Sequence, residues 1–141
     1  MKVIEKIASA LCARANCEAS DNQEWFARHT ETLERIEREY LPSGSGVDAG
    51  TRIDLERSTG KRIVLTFGFH HMNEGGYYDG WTDHKVTVTP AFIGGFDLRV
   101  TGRDRNQIKD YLGDLIHEIL ASEYSEPASK EATEGGQPCS E

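Results

Sequence analysis

Apolar residues recur along this chain at two periods, three-to-four near both ends and two through the middle. Val3, Ile4, Ile7, Ala8, Leu11, Cys12 and Ala15 stand at helical spacing and predict an amphipathic helix over residues 3–15. The polar stretch Glu18-Ala19-Ser20-Asp21-Asn22 interrupts the pattern. Ser20 with Gln23, or Asp21 with Glu24, has capping-box spacing and predicts the start of a second helix. Its apolar stripe is Trp25, Phe26, His29, Leu33, Ile36 and Tyr40, and Pro42 ends it. Glu31 with Arg35 and Glu34 with Arg38 sit at i,i+4 on the outer side. Residues 41–50 read as a loop with three glycines, either a linker or a shaped turn whose glycines take positive φ.

The period then drops to two. Ile53 and Leu55 alternate with Arg52, Asp54 and Glu56, and Ser58-Thr59-Gly60-Lys61 reads as a turn. Ile63, Leu65, Phe67 and Phe69 share one face of a second strand. After a long loop, Val86 and Val88 alternate with Lys85, Thr87 and Thr89, and Phe96, Leu98 and Val100 follow the Gly94-Gly95 turn. Four short alternating runs joined by turns predict an antiparallel meander with one buried face. Asp104 with Gln107 caps a last helix, along which Ile108, Tyr111, Leu112, Leu115, Ile116, Ile119 and Leu120 form an apolar stripe. Gly113 weakens that helix by about 1 kcal/mol relative to Ala. The expected fold is therefore α+β: two N-terminal helices, a four-stranded antiparallel meander, and a C-terminal helix packed on the sheet. It occupies residues 1–121 as a single domain, and residues 122–141 are expected to form a disordered acidic tail.

Composition narrows the function classes. The chain has 141 residues, enough for one core, and 37% of them are hydrophobic. Lys plus Arg total 16 against 24 Asp plus Glu, a formal net charge of −8. That balance argues against a nucleic-acid coat or a binder of anionic membranes. The expected tail carries five Glu and one Lys, so it supplies −4 and leaves the body mildly acidic. No apolar run is long enough to span a membrane, and the first residues lack the continuous apolar stretch of a secretory signal, so a cytoplasmic protein is expected. Cys12, Cys17 and Cys139 form no Cys-x-x-Cys pair and read as free thiols.

Candidate chemistry concentrates in two places. Residues 69–84 hold His70, His71 and His84, three carboxylates, and Tyr77, Tyr78 and Trp81. Strand parity puts His71 with Phe67 and Phe69, and His84 with Val86 and Val88. Two imidazoles and Asp83 are a ligand set for a divalent ion, but the spacing matches no metal signature. The plainer reading is a packed loop in which the histidines hydrogen-bond and the rings anchor. Long loops rich in aromatics and Gly are also frequent carriers of function. The second place is Arg99, Arg103, Arg105 and Asn106, where a strand feeds a helix start. Backbone N–H groups and guanidinium forks there suit a phosphate or carboxylate, although Asp104 would oppose an anion. The chain lacks a phosphate loop, a dinucleotide fingerprint, a Gly-x-Ser-x-Gly elbow and a helix-turn-helix signature.

Three segments together carry a resemblance. They are Leu41-Pro42-Ser43-Gly44-Ser45-Gly46-Val47-Asp48-Ala49-Gly50-Thr51, then Phe69-His70-His71-Met72-Asn73-Glu74-Gly75-Gly76-Tyr77-Tyr78-Asp79-Gly80-Trp81-Thr82-Asp83-His84, then Gly102-Arg103-Asp104-Arg105-Asn106-Gln107-Ile108-Lys109-Asp110-Tyr111-Leu112. Over roughly residues 29–121 the chain resembles a group of small uncharacterised proteins encoded by tailed phages, prophages and plasmids. The resemblance implies an anti-defence accessory protein and gives no catalytic residues.

The expected function is therefore a non-enzymatic inhibitor that binds a host defence effector, in the manner of an anti-CRISPR protein. An acidic surface suits competition for an effector's positive nucleic-acid channel. The expected contact residues are Tyr77, Tyr78, Trp81, His70, His71, His84, Arg99, Arg103 and Arg105. No cofactor, metal, catalytic residue, nucleic acid or membrane is expected, and a homodimer is compatible with the sequence. Three other readings compete. One is a binder of a phosphorylated small molecule or nucleotide signal held by Arg103, Arg105 and the 70–84 segment. Another is a metal-dependent hydrolase using His70, His71, His84 and Asp83. The last is a structural or regulatory accessory protein.

Overall fold

The computed structural model describes residues 1–42, 48–72, 74–91, 95–102 and 106–125. Along them run α1 (Val3–Ala19), α2 (Gln23–Glu39), β1 (Asp48–Ile53), β2 (Ile63–Met72), β3 (Tyr78–Pro90), β4 (Phe96–Thr101) and α3 (Asn106–Ala121). The order α-α-β-β-β-β-α and the α+β class are as the periodicity predicts. The strands form one antiparallel sheet in the order β1-β2-β3-β4. No helix among the described residues is long and apolar enough to cross a membrane.

Two-residue periodicity places Ile53 on β1, Ile63, Leu65 and Phe67 on β2, and Val86 and Val88 on β3 on one face, and all are buried. Register aligns them in rows: Ile53 faces Leu65, which faces Val86, which faces Val100. The helices cover this face alone. Val3, Ile4, Ile7 and Leu11 of α1, Leu33 and Ile36 of α2, and Leu112, Ile116 and Leu120 of α3 complete one core cluster. The other face carries exposed Arg52, Asp97, Arg99 and Thr101 with half-buried Thr66, Lys85 and Thr87.

Several boundaries differ from the sequence expectation, each for a local reason. The second helix is capped by Asn22, whose side chain accepts the Trp25 amide, not by Ser20 or Asp21. Asp21 instead turns the chain between helices at φ 59°. The first strand ends at Ile53 rather than continuing through Leu55, because the Asp54 carboxylate accepts the amides of Glu56 and Arg57 and closes a turn. Burial pushes the Asp54 pKa up, but those amides and the Arg57 guanidinium outweigh it and hold the group below its usual value. That strand begins earlier, inside the expected glycine loop, where Gly50 takes φ 86° beside a register shift.

On α3, Leu112 and Ile116 are buried as expected, Leu115 is half-buried, and Tyr111 points to solvent. The expected Asp104 cap lies outside the described residues. The packed body also continues past residue 121. Tyr124 is buried in the core cluster, its amide bonds the Met1 carbonyl at 2.8 Å, and the Val3 amide bonds the Ser122 carbonyl at 2.9 Å. Residues 126–141 of the expected tail lie outside the described residues. The expectation of uniformly free thiols fails at Cys17, which is buried and disulfide-bonded; Cys12 is exposed and free. The partner of Cys17 lies outside the described residues.

His29 is buried on α2, with its ring 5.7 Å from that of Trp25. Its Nε2 meets no hydrogen-bond partner among the described residues. Burial, and secondarily the charge of Lys6, holds its pKa below the ordinary value. The folded state thus favours neutral imidazole, while the unfolded chain takes the proton near pH ~6.5. Its contribution to stability is complete above that value and is lost as pH falls through the folded pKa. His29→Leu removes this linkage, so its melting temperature should fall less than the parent's between about pH 7 and pH 5. Parallel pH slopes would show that His29 is not held neutral. In denaturant unfolding, Ile116→Ala should cost about 2–5 kcal/mol, because a fully buried side chain leaves a cavity between α3 and the sheet.

Candidate contact surface

The segment expected as a long loop is mostly strand. β2 runs to Met72 and β3 starts at Tyr78, so the connection between them is residues 73–77 alone. Register pairs Phe69 with Thr82, His70 with Trp81 and His71 with Gly80, and a shift before Met72 brings it opposite Tyr78. Backbone pairing carries this segment on, with one shift before Met72, even where apolar alternation stops. Gly76, at φ 84° with open space where a Cβ would stand, supplies the positive φ of the turn.

This pair of strands outruns its neighbours on both sides. β1 reaches no further along β2 than Phe69, and β4 reaches no further along β3 than Lys85. At about 3.3 Å per residue, a ribbon extends roughly 20 Å beyond β4, from Lys85 to Tyr78, and roughly 10 Å beyond β1, from Phe69 to Met72. At its end Tyr77 is 73% exposed and Tyr78 is 59% exposed. Glu74, Gly75 and Gly76 are exposed beside them. Two phenol rings at the tip of a two-stranded arm present large, rigid, amphipathic area to solvent.

The other expected contact residues divide. His70, His71 and Trp81 lie on the ribbon by register, but their side chains are outside the described part of the structure, as is that of Asp83. His84 must be removed from the contact surface. It shares the core face with Val86 and Val88, as parity predicted, and is fully buried. A Cβ built at Gly102 would fall on His84 Nδ1 and stand 3.1 Å from its Cα, and Gly102 sits at φ 153°. His84 is therefore a packed core residue covered by the backbone after β4. Arg99 is exposed on the outer sheet face, in register with Thr87. Arg103 and Arg105 lie outside the described residues, so their expected meeting with the ribbon is not on view. Among the described residues, no group of three His, Cys, Asp or Glu side chains is placed to hold a metal ion. The acidic residues of α2 have different roles. Glu31 and Glu34 are exposed, whereas Glu37 accepts the Ile53 amide at 2.7 Å and serves the fold.

Sequence reasoning did not anticipate a groove on the helix side of the sheet. Between β4 and α3 lies a groove of about 490 Å³, floored by Phe96, Leu98 and Val100 and rimmed by Asp110, Asp114 and His117. The His117 ring stacks on Phe96 with centroids 4.6 Å apart. Gly113 brings the helix close to the strand, since a Cβ there would stand 3.4 Å from Val100 Cγ2. The one sequence signal was Gly113 in an otherwise strong helix. Compared with protein-family models, curated proteins and solved structures, the chain matches none.

Gly102→Ala should destabilise the protein by about 1–3 kcal/mol, because the added methyl must displace a buried ring from a well-packed site. A neutral result in chemical unfolding would mean that His84 does not pack beneath Gly102.

Proposed function

We propose that this protein is a non-enzymatic binding protein of a phage or mobile genetic element. It inhibits a host defence system in the host cytoplasm by occupying an effector protein. The observation that carries the reading is the ribbon: two tyrosines stand exposed at the end of a strand pair that both neighbouring strands abandon. Exposed Tyr side chains lose little rotamer freedom on contact and are enriched among residues that dominate binding energy. A projecting ribbon reaches into a cleft where a flat sheet face cannot. The formal charge of −8 disfavours nucleic acid as a target and suits a basic groove on a protein. The resemblance to phage and plasmid proteins supplies the setting, and an effector with a positive nucleic-acid channel is the matching partner.

The experiment is plating of phage on hosts that carry a panel of defence systems, with the protein supplied in trans. Tyr77→Ala, Tyr78→Ala and Trp81→Ala are assayed beside the parent, with melting measured in parallel. At least one variant should keep its melting temperature and lose about tenfold or more in plating efficiency, as truncation of a binding hot spot does. Full activity in all three would remove the ribbon as the contact surface. Activity that falls only in step with stability would assign the rings a structural role.

A further inference from the structure

The two edges of the sheet are finished differently. At the β1 edge, the outward amide of Thr51 bonds the Pro42 carbonyl at 2.8 Å, and that of Ile53 bonds the Glu37 carboxylate at 2.7 Å. That edge is closed by the protein itself. The ladder phase carries across to the other edge. Asp54 donates to Val64, so even-numbered residues of β2 bond β1 and odd-numbered ones bond β3. Register then makes Lys85, Thr87 and Thr89 the β3 residues that bond β4, opposite Thr101, Arg99 and Asp97. The bond from the Ala91 amide to the Gly95 carbonyl, 3.0 Å, continues the same phase. The backbone groups of Phe96, Leu98 and Val100 therefore point away from the sheet. No backbone bond within the described residues reaches them from outside the ladder.

An open edge of this kind is a template for another strand. β4 is not protected by a proline, a bulge or an inward charge. Its exposed side chains are Asp97, Arg99 and Thr101 on one face, and the two charged ones are two residues apart. The two-fold pairings centred on the middle of β4 differ in which charges meet. An axis at Asp97 sets Asp97 against Asp97, and an axis at Arg99 sets Arg99 against Arg99. An axis at Leu98 sets Asp97 of each copy opposite Arg99 of the other, in the non-hydrogen-bonded positions where cross-strand side chains come closest.

We propose that β4 pairs antiparallel with β4 of a second copy of this chain about a two-fold axis at Leu98. The inference stands apart from the functional reading above. Leu98 exchanges both backbone bonds with its counterpart, and Phe96 does so with Val100. The two sheets become one. On the helix side, Leu98 meets Leu98 and Phe96 meets Val100, which extends the apolar floor of the β4–α3 groove across the axis. The contact is isologous, so it closes at two copies and does not propagate. The ribbons, which leave the sheet beyond the Thr101 end of β4, emerge at opposite ends of the joined sheet.

Charge reversal tests the register. The parent should sediment as a dimer at micromolar chain concentration. Asp97→Arg alone leaves arginines facing arginines, and Arg99→Asp alone leaves aspartates facing aspartates, so each should sediment as a monomer. An equimolar mixture of these two variants restores both opposite-charge pairs and should sediment as a dimer. Both positions are exposed, and melting of each variant confirms folding. If a reversal lowers the melting temperature, Asp97→Asn and Arg99→Gln answer in its place: each should weaken the dimer several-fold, and their mixture, which restores one Asp97–Arg99 pair, should recover part of the loss. A monomeric parent, single variants that remain dimeric, or a mixture of the reversals that stays monomeric overturns the proposal. A monomeric parent that captures a strand of a different protein at this edge overturns it equally.

Discussion

The fold depends on a sheet with only one apolar face. Three strands turn Ile53, Ile63, Leu65, Phe67, Val86 and Val88 to the same side, β4 adds half-buried Phe96, Leu98 and Val100, and that side has to be covered. Three helices cover it together. α2 contributes only Leu33 and Ile36 to the core cluster, so it depends on α1 beside it as much as on the sheet. Even the chain beyond α3 is recruited, since Tyr124 fills the space between the start of α1 and Tyr40, whose ring lies 5.4 Å away. With the helices all on one side, the opposite face is mostly polar, with buried Val64 an aliphatic exception. Every chemically interesting feature is therefore found at an edge or an end of the sheet, and none in its middle.

Two features follow from where pairing stops. β2 and β3 continue after β1 and β4 have ended, and a two-stranded ribbon in water is marginal by itself. This one is anchored by the ladder behind it and by the fully buried His84 at its base. That anchoring lets exposed tyrosines be presented at a distance without their own core. The edges show the same economy. The β1 edge amides of Thr51 and Ile53 are taken by the Pro42 carbonyl and by Glu37, while among the described residues no backbone partner reaches the outward groups of β4 beside an apolar groove.

The coarse fold was legible because the two periods are clean. Isoleucine, leucine and valine at alternate positions marked the strands, and the stripe Leu112, Ile116, Leu120 marked the last helix. The ribbon was not legible, because residues 70–83 do not alternate between a core face and a water face, and the pairing there is carried by backbone bonds that any residue type can make. Parity places His84 with Val86 and Val88, but parity alone does not distinguish a core position from the base of a loop. Gly102, which covers His84, gives no signal until the register of β3 and β4 is known. The open edge is invisible for a related reason. Which residues of β4 point outward depends on ladder phase passed from β1 through two intervening strands. The disulfide at Cys17 escaped because neither Cys12 nor Cys139 stands at a motif spacing from it. Tyr124 escaped because one ring in a run of Ser, Glu and Ala makes no pattern.

The claim at the centre of this account is that a self-sufficient core carries a separable contact arm. Removing the arm tests it most directly. Phe69 and Thr82 form a pair whose ladder phase suits a two-residue type I′ turn, so residues 70–81 can be replaced by Asn-Gly. The shortened protein should unfold cooperatively with a midpoint close to the parent's, and should lose protection of phage in hosts where the parent protects. A shortened protein that folds and still protects would place the contact surface elsewhere. One that cannot fold would show that the ribbon belongs to the core.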